Sequence, residues 1–343
     1  MGSLVLARVL RVAPQRPRLI AIAGGAHMTR LRVSVVVAAR DAGATLAECL
    51  KSLAGQSVPS DEYEVIVVVD ERSTDDTLAI ARRAGVRVVT LKPDVGAARF
   101  TAGSRNAGMR AALADWVAFT DADCLASRGW LKALLASVRL DEASLLAVAG
   151  LTVGHRSDTP SARYVDLTGG LRADRHLSHP RYPWPPAGNV MYRREALLAV
   201  GGYDERFVSY EQADLHLRLI RNVGGTTTFA ERAVVYHVHR QRWRDFARQQ
   251  VSYGSGYGQF YLRYRDELRW TLFDESRAWL ALVPITLRAV VPAAGDEGVI
   301  RRGTLIKKAA QRVGFARTFW NPSEAARWRL ARRTPELAAE SDA

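Results

Sequence analysis

The chain is 343 residues long, 48% hydrophobic and 24% charged, the balance of an ordinary globular protein with ample material for a core. Two cysteines, Cys49 and Cys124, exclude a disulfide framework and any zinc-finger spacing, and they suit a reducing compartment. The net charge of +14 lies in the flanks: residues 1–32 carry six Arg and no acid, residues 33–230 carry 23 basic and 23 acidic residues, and residues 231–343 carry 20 and 12. A neutral body argues against a nucleic-acid enzyme, which would gather its basic excess around the active site. Basic flanks suit an anionic membrane surface or partner, the plain alternative being a tail that keeps the protein in solution.

In residues 1–30 Arg breaks every apolar run, so the segment lacks the apolar stretch of a signal peptide. It reads as a basic, disordered extension, with Met28 an alternative start. "VSVVVAA" (33–39) is continuous and β-branched, the pattern of a buried strand. "ATLAECLKSLAGQ" (44–56) has helical spacing, with Leu46, Leu50 and Leu53 on one face. "YEVIVVVD" (63–70) is a second buried strand, and Ser73 or Thr74 can cap the helix that follows and ends at Gly85. "VRVVTL" (86–91) is a third strand, "SRNAGMRAALAD" (104–115) a helix, and "WVAFTD" (116–121) a fourth strand. Continuous apolar strands alternating with helices predict an α/β fold: a mostly parallel, Rossmann-like sheet with helices on both faces.

Ligands of such sheets bind beyond the carboxyl ends of the strands. Asp70-Glu71 and Asp121-Ala122-Asp123 fall at two of those ends, which puts four acids on one rim. Two carboxylates one residue apart repel unless a cation lies between them or the turn faces water. Further along, "GWLKALLASVRL" (129–140) is helical and "SLLAVAGLTVG" (144–154) a strand, while 155–187, rich in Pro, Arg and His, reads as a long substrate loop. "EQADLHLRLIRNVGG" (211–225) is a helix and "AVVYHVHR" (233–240) a strand. The GxGxG spacing of Gly254, Gly256 and Gly258 precedes no strand–helix unit, so it is a weak dinucleotide signal. "WLALVPITLRAVVPAA" (279–294) is shorter than the ~20 residues of a membrane span and holds Arg288 and two prolines, so it reads as an interfacial or docked helix.

Seven of these pieces in order make the chain resemble the family-2 glycosyltransferases of the GT-A fold over roughly residues 31–260. They are "AARDAGATLAECLKSLAGQS", "VVVDERSTDDT", "SRNAG", "FTDADC", "GNVMYRREALLAVGGYDE", "EQADLHLRL" and "VYHVHR". The resemblance implies a GT-A domain at 31–260, between the 1–30 extension and a basic helical extension at 261–343. It implies an inverting transfer of a sugar from a nucleotide-diphosphate donor, UDP favoured, to an acceptor hydroxyl or amine on a glycan, lipid or small molecule. Cell-envelope glycan, glycolipid or natural-product glycosylation are the settings that fit. The protein would be cytoplasmic, peripheral on the inner face of the membrane, bind no nucleic acid, and stand alone or as a homodimer.

The same resemblance distributes roles. A divalent cation, Mn²⁺ or Mg²⁺, would neutralise the departing diphosphate, held by Asp121, Asp123 and His237, with His239 the weaker candidate. Donor contacts would come from Ala39, Arg40, Asp70, Glu71, Arg105 and Asp121. Glu71 and Arg72 depart from the Asp and Gly usual there, which leaves dTDP and GDP open beside UDP. Asn106 follows Arg105 at a helix start, where helix N-terminal structure is the plain alternative. Gln212 stands where the family most often has its basic Asp, so the general base falls to Glu211 or Asp214, with Arg218 one turn beyond Asp214. Acceptor contacts are expected from Trp184, by stacking on a sugar, and from Asn189. A polyprenyl-phosphate sugar synthase, whose acceptor needs no base, and a degenerate sugar-nucleotide-binding module are the alternative readings.

Overall fold

The computed structural model describes residues 31–92, 100–138 and 144–330. The expected 1–30 extension, Met28 and the last thirteen residues of the 261–343 extension lie outside them. The first apolar run is strand β1 (Val33–Ala39), followed by α1 (Leu46–Ala54), β2 (Tyr63–Asp70), α2 (Thr77–Arg83) and β3 (Arg87–Leu91). Then come α3 (Phe100–Ala111), β4 (Trp116–Asp121), the short β5 (Cys124–Ala126), α4 (Trp130–Ala136) and β6 (Leu145–His155). Helices α5 (Pro160–Thr168) and α6 (Ala173–Leu177) precede β7 (Asn189–Arg193), α7 (Arg194–Ala199), α8 (Glu211–Asn222) and β8 (Thr226–Val238). Five helices close the described chain: α9 (Trp243–Tyr264), α10 (Leu272–Leu280), α11 (Leu282–Val290), α12 (Gly295–Phe319) and α13 (Pro322–Leu330).

The sheet has eight strands in the order β3-β2-β1-β4-β7-β6-β8-β5. Its first half is parallel, as the continuous apolar strands predict: β1 pairs with both β2 and β4, and β2 with β3. The second half is mixed, because β7 runs antiparallel to both β4 and β6. Both faces are covered. Val35, Val37 and Val67 point to one core with Leu50, Trp130 and Leu134, and Val36, Ile66 and Phe119 point to the other with Met109, Tyr192 and Leu215. Alternation along each strand thus feeds two cores, the reason its apolar run is unbroken.

Two local expectations are corrected. Helix α2 starts at Thr77, not after Ser73 or Thr74: Asp75 Oδ1 accepts from the Thr77 N–H at 3.1 Å, and Ser73 Oγ accepts from the Asp41 N–H instead. The stretch 155–187 is not one long loop. Thr159 caps α5 by accepting from the Ala162 N–H, Pro160 sits at its first turn, and Gly169 closes it at φ 59. The end of the glycosyltransferase-like part at 260 falls inside α9, so that helix belongs as much to the C-terminal helices as to the sheet.

The GxGxG stretch is a packing seam rather than a nucleotide loop. Gly254, Gly256 and Gly258 lie within α9 and are buried. A Cβ at Gly254 would overlap the Gln311 carbonyl oxygen of α12, one at Gly258 would come 3.0 Å from Thr318 Cβ, and one at Gly314 would overlap the Val251 carbonyl oxygen. The two backbones therefore meet only because these positions lack side chains. Gly254→Ala is expected to cost about 1–3 kcal/mol through overpacking, read as a fall in thermal midpoint. Gly55→Ala, where a Cβ makes ordinary contact at 3.5 Å, should change it little. Equal melting of the two variants would count against the seam.

Candidate active site

Because β1, β2 and β4 are parallel, their carboxyl ends share one rim, and the register sets Ala38 beside Asp121 and Ala39 beside Val69. Asp70 closes β2 wholly buried, with both oxygens engaged by Arg72: Nε to Oδ1 at 3.1 Å and Nη2 to Oδ2 at 2.8 Å. The Arg72 N–H adds a bond at 2.9 Å, and Arg40 Nε lies 3.7 Å away. Burial pushes the Asp70 carboxyl upward, but the Arg72 hydrogen bonds and charge outweigh it and hold the pKa below the ordinary value. The Arg that stands in place of the expected Gly thus already occupies the carboxylate assigned to the nucleotide. Glu71 is exposed beside it, anchored through its own N–H to the Leu91 carbonyl. Ala39 is corrected: it is wholly buried in the core and offers a ligand no surface, so that side of the rim is exposed only from Arg40 onward.

Beyond β4 the chain turns at Ala122-Asp123 and re-enters the sheet as β5, antiparallel to β8 with Cys124 opposite His237. That register brings a strand-end His, more than a hundred residues away in sequence, onto the two carboxylates. His237 Nε2 lies 3.4 Å from Asp123 Oδ1, and ligand atoms of Asp121, Asp123, Cys124 and His237 all fall within 4.8 Å of one another. Two carboxylate oxygens and an imidazole nitrogen are a donor set that suits a hard divalent cation. Cys124 is buried, and burial first, then the Asp123 and Asp121 charges, push its thiol pKa well up, so it stays a neutral neighbour. His239 stands behind the cluster, its Nδ1 3.0 Å from Nδ1 of His237, and burial followed by the His237 charge lowers its pKa to about 3. Gly188 keeps the space open, since a Cβ there would come 2.8 Å from Asp121 Oδ2.

Arg105, on α3, joins this cluster to the acid helix. Its Nη2 donates to Asp121 Oδ1 and its Nη1 to Glu211 Oε1, each at 2.9 Å, and the guanidinium is buried. Burial works against its charge, but the Asp121, Tyr203 and Glu211 groups overcome that and raise the pKa further. Asn106 is structural: its amide donates to the Tyr203 carbonyl and to Glu205 and accepts from the Tyr203 N–H, each at 2.8 Å.

Glu211 opens α8 directly after Tyr210, which sits at φ 69, a left-handed conformation rare for an aromatic residue. Turned with its nitrogen inward, the Gln212 amide donates to both Glu211 oxygens, at 3.2 and 3.1 Å. Asp214 is different. It is wholly buried, Oδ2 bound by Arg218 Nε at 2.8 Å, and Oδ1 by the Tyr264 hydroxyl at 2.6 Å with Arg263 Nη1 at 3.2 Å. Arg218 also donates to the Val200 and Gly202 carbonyls at 2.7 Å, pinning the preceding turn. A carboxylate so enclosed holds the helix in place and has no face left for an acceptor.

Asn189, expected at the acceptor, is corrected as well. It is buried, its amide oxygen accepts from Trp130 Nε1 at 2.8 Å, and its nitrogen donates to the Leu151 and Ala233 carbonyls at 3.0 Å. Trp184 is half-buried, its ring 4.1 Å from that of His176 and 6.1 Å from that of Tyr210, one residue from Glu211. Tyr253 of α9 went unread in the sequence: burial, then the Asp121 charge, pushes its pKa to about 12, with Glu211 and Asp123 contributing. Its place beside Gly254 in "SYGSGYGQF" marks helix packing, not an approach to the rim, and Gly188 carried no signal beyond the Ala-Gly-Asn turn.

A twisted α/β sheet with a carboxylate–imidazole cluster at its parallel rim and an acid helix alongside defines a sugar-nucleotide-transferase type of architecture. Residues 34–201 match glycosyl transferase family 2. The pre-mycofactocin glycosyltransferase of Mycobacterium tuberculosis is 30% identical over 279 residues, 77% of this chain and 54% of its own, so the chain spans about half the length of that relative. The glycosyltransferase AglE of Haloferax volcanii is 24% identical over 69% of this chain and 76% of its own. A mannosyltransferase from Pyrobaculum calidifontis, solved with GDP-Man and Mn²⁺, superposes with a TM-score of 0.61 at 17% identity, over 85% of this chain and 88% of its own. Residues 34–201 thus carry the glycosyl transferase family 2 region, and the chain has the GT-A fold.

Asp214→Asn should lower stability by about 3–5 kcal/mol, because it strips the buried charge that the partly buried Arg218 and Arg263 compensate and the Tyr264 hydroxyl bonds. A denaturant midpoint close to that of the native chain would remove Asp214 from this anchoring role.

Proposed function

We propose that the protein is a metal-dependent inverting glycosyltransferase that moves a sugar from a nucleotide-diphosphate donor, UDP favoured, to an acceptor hydroxyl or amine. The observation that carries this reading is the Arg105 bridge, 2.9 Å to Asp121 on one side and 2.9 Å to Glu211 on the other. It fixes the cluster fit for the leaving group and the carboxylate fit for the nucleophile at a set separation. The settings that suit it are cell-envelope glycan, glycolipid or natural-product glycosylation.

Asp121, Asp123 and His237 are the residues that would hold Mn²⁺ or Mg²⁺, which when bound offsets the charge growing on the diphosphate. Asp121 and Arg105 orient the donor at the rim. Arg72 and Arg40, grouped about Asp70, offer the nucleotide cationic partners, and Glu71 an exposed acceptor. Glu211 receives the acceptor proton; Arg105 occupies Oε1, and Gln212 supports the carboxylate without competing for a proton. The new bond forms on the face opposite the diphosphate, so configuration inverts. Trp184 and Tyr210 form an aromatic wall beside Glu211 on which an acceptor ring can stack.

Removal of a general base costs about 10²–10⁴ in rate. Glu211→Gln is therefore expected to lower kcat by that range with donor binding preserved, and NMR of the product should show an anomeric configuration opposite to the donor's. Retained configuration would overturn the mechanism. A nearly active Glu211→Gln would favour the lipid-phosphate acceptor, which needs no base, a reading that Gln212 keeps in play.

Asp123→Ala should abolish Mn²⁺-dependent binding of a UDP-sugar in calorimetry while leaving the thermal midpoint near the native value, since the residue lies at a partly exposed strand exit. Full turnover by the native protein in excess EDTA would sink the metal-dependent reading.

A further inference from the structure

Helices α10 and α11 present their apolar side to solvent. Phe273, Leu280, Val283, Leu287, Val290 and Trp320 are each between 59% and 70% exposed. In α11, Leu282, Ile285 and Ala289 face the protein and are partly buried, whereas Val283, Leu287 and Val290, spaced i, i+4, i+7, form the outer stripe. A helix resting on a water-facing surface carries polar residues on that stripe. This one carries none there, and no residue of α11 is buried. Trp320, at the end of α12, extends the patch, stacked on Trp279 of α10 with ring centroids 6.3 Å apart.

The charges around the patch are one-sided. The neighbouring acids are engaged: Glu275 by Arg312 at 2.7 Å, Asp296 by Arg163, Glu297 by Arg301, and Asp274 by the Thr271 cap and Arg181. Arg277, Arg288 and Arg317 have no carboxylate partner among the described residues. Arg277 lies over the Phe273 ring, Arg288 adjoins Leu287, and Arg317 sits one turn before Trp320. The outcome is an apolar stripe with Trp at its margin and a rim of uncompensated guanidinium groups.

We infer that α10, α11 and the Trp320 end of α12 form a docking face for an anionic lipid bilayer, lying in the interface with the apolar stripe among the acyl chains and the three Arg on lipid phosphates. The mode is interfacial: among the described residues no helix is long and apolar enough to cross a membrane. Charge complementarity selects this occupant. A second copy of the chain would bring the same three cations against themselves, whereas anionic headgroups match both the stripe and its rim. The docking is independent of the transfer chemistry, and its readout uses no turnover.

The test is co-sedimentation of the full chain with phosphatidylcholine vesicles, with and without about one-third phosphatidylglycerol. Binding is expected to the anionic vesicles at low salt, and to weaken as salt rises. Arg277→Gln/Arg288→Gln/Arg317→Gln should weaken it by about 100-fold, roughly fivefold for each cation. Val283→Glu/Leu287→Glu, at sites already exposed, should abolish it while the thermal midpoint holds. No binding to anionic vesicles at low salt would overturn the inference, as would binding that neither variant alters. A concentration-dependent dimer lost in the glutamate variant, with no lipid binding, would assign the face to a second copy instead.

Discussion

One buried guanidinium holds the site together. Arg105 is out of water, and an Arg so placed persists only with carboxylates on its donors. It finds one at the end of β4 and one at the start of α8. The two acids in turn depend on it: without Arg105, Asp121 would face the Asp123 carboxylate with no guanidinium on it, and Glu211 would sit almost buried beside only a neutral amide. The bridge therefore fixes how far the acid helix stands from the sheet rim. Asn106, the next residue, clamps the turn at Tyr203 that leads into that helix, so α3 sets both ends of the approach.

The C-terminal helices reach the same point by a different route. Gly256 of α9 lets the backbone of Ser209 approach so closely that any Cβ would overlap it, and Ser209 Oγ donates to the Ser252 carbonyl at 2.9 Å. The next residue, Tyr210, takes the left-handed conformation that aims Glu211 inward. Gly254, two positions earlier, receives α12 on another side of the same helix. Backbone packing thus links the exposed α10–α12 face, through α9, to the turn that presents Glu211. Loss of Gly256 would be felt at the acid helix before it was felt at the sheet.

Much of the fold was legible because the strands announce themselves. Runs such as "VSVVVAA" and "WVAFTD" are apolar at every position, which only a sheet covered on both faces requires, and acids at their ends then lie on the ligand-binding rim. The second half was harder. Strand β7 follows α6 and runs antiparallel, and nothing in "NVMYR" states its direction. Helices α5 and α6 were hidden by the Pro, Arg and His content of 155–187, although Thr159-Pro160 and Gly169 are cap and stop signals at those ends. The GxGxG stretch has the composition of a loop but lies inside a 22-residue helix, since glycine there answers to a neighbouring backbone rather than to a turn.

Sequence alone determined the periodicity of the elements, the acids at the ends of β2 and β4, and the acid helix with Gln212 in its second place, because these follow from local pattern. Tertiary structure decided what each polar group does, because that depends on which groups face it. Glu211 and Asp214 are equivalent on paper, three apart on one helix; packing leaves Glu211 beside the rim and encloses Asp214 among Arg218, Arg263 and Tyr264. Asn189 looked free to meet an acceptor and is spent on Trp130 and two carbonyls. Arg105 and Glu211 stand 106 positions apart in the chain, and Cys124 meets His237 only through the register of β5 on β8. No local pattern encodes such meetings; they exist only when the sheet and α8 have closed around one cation.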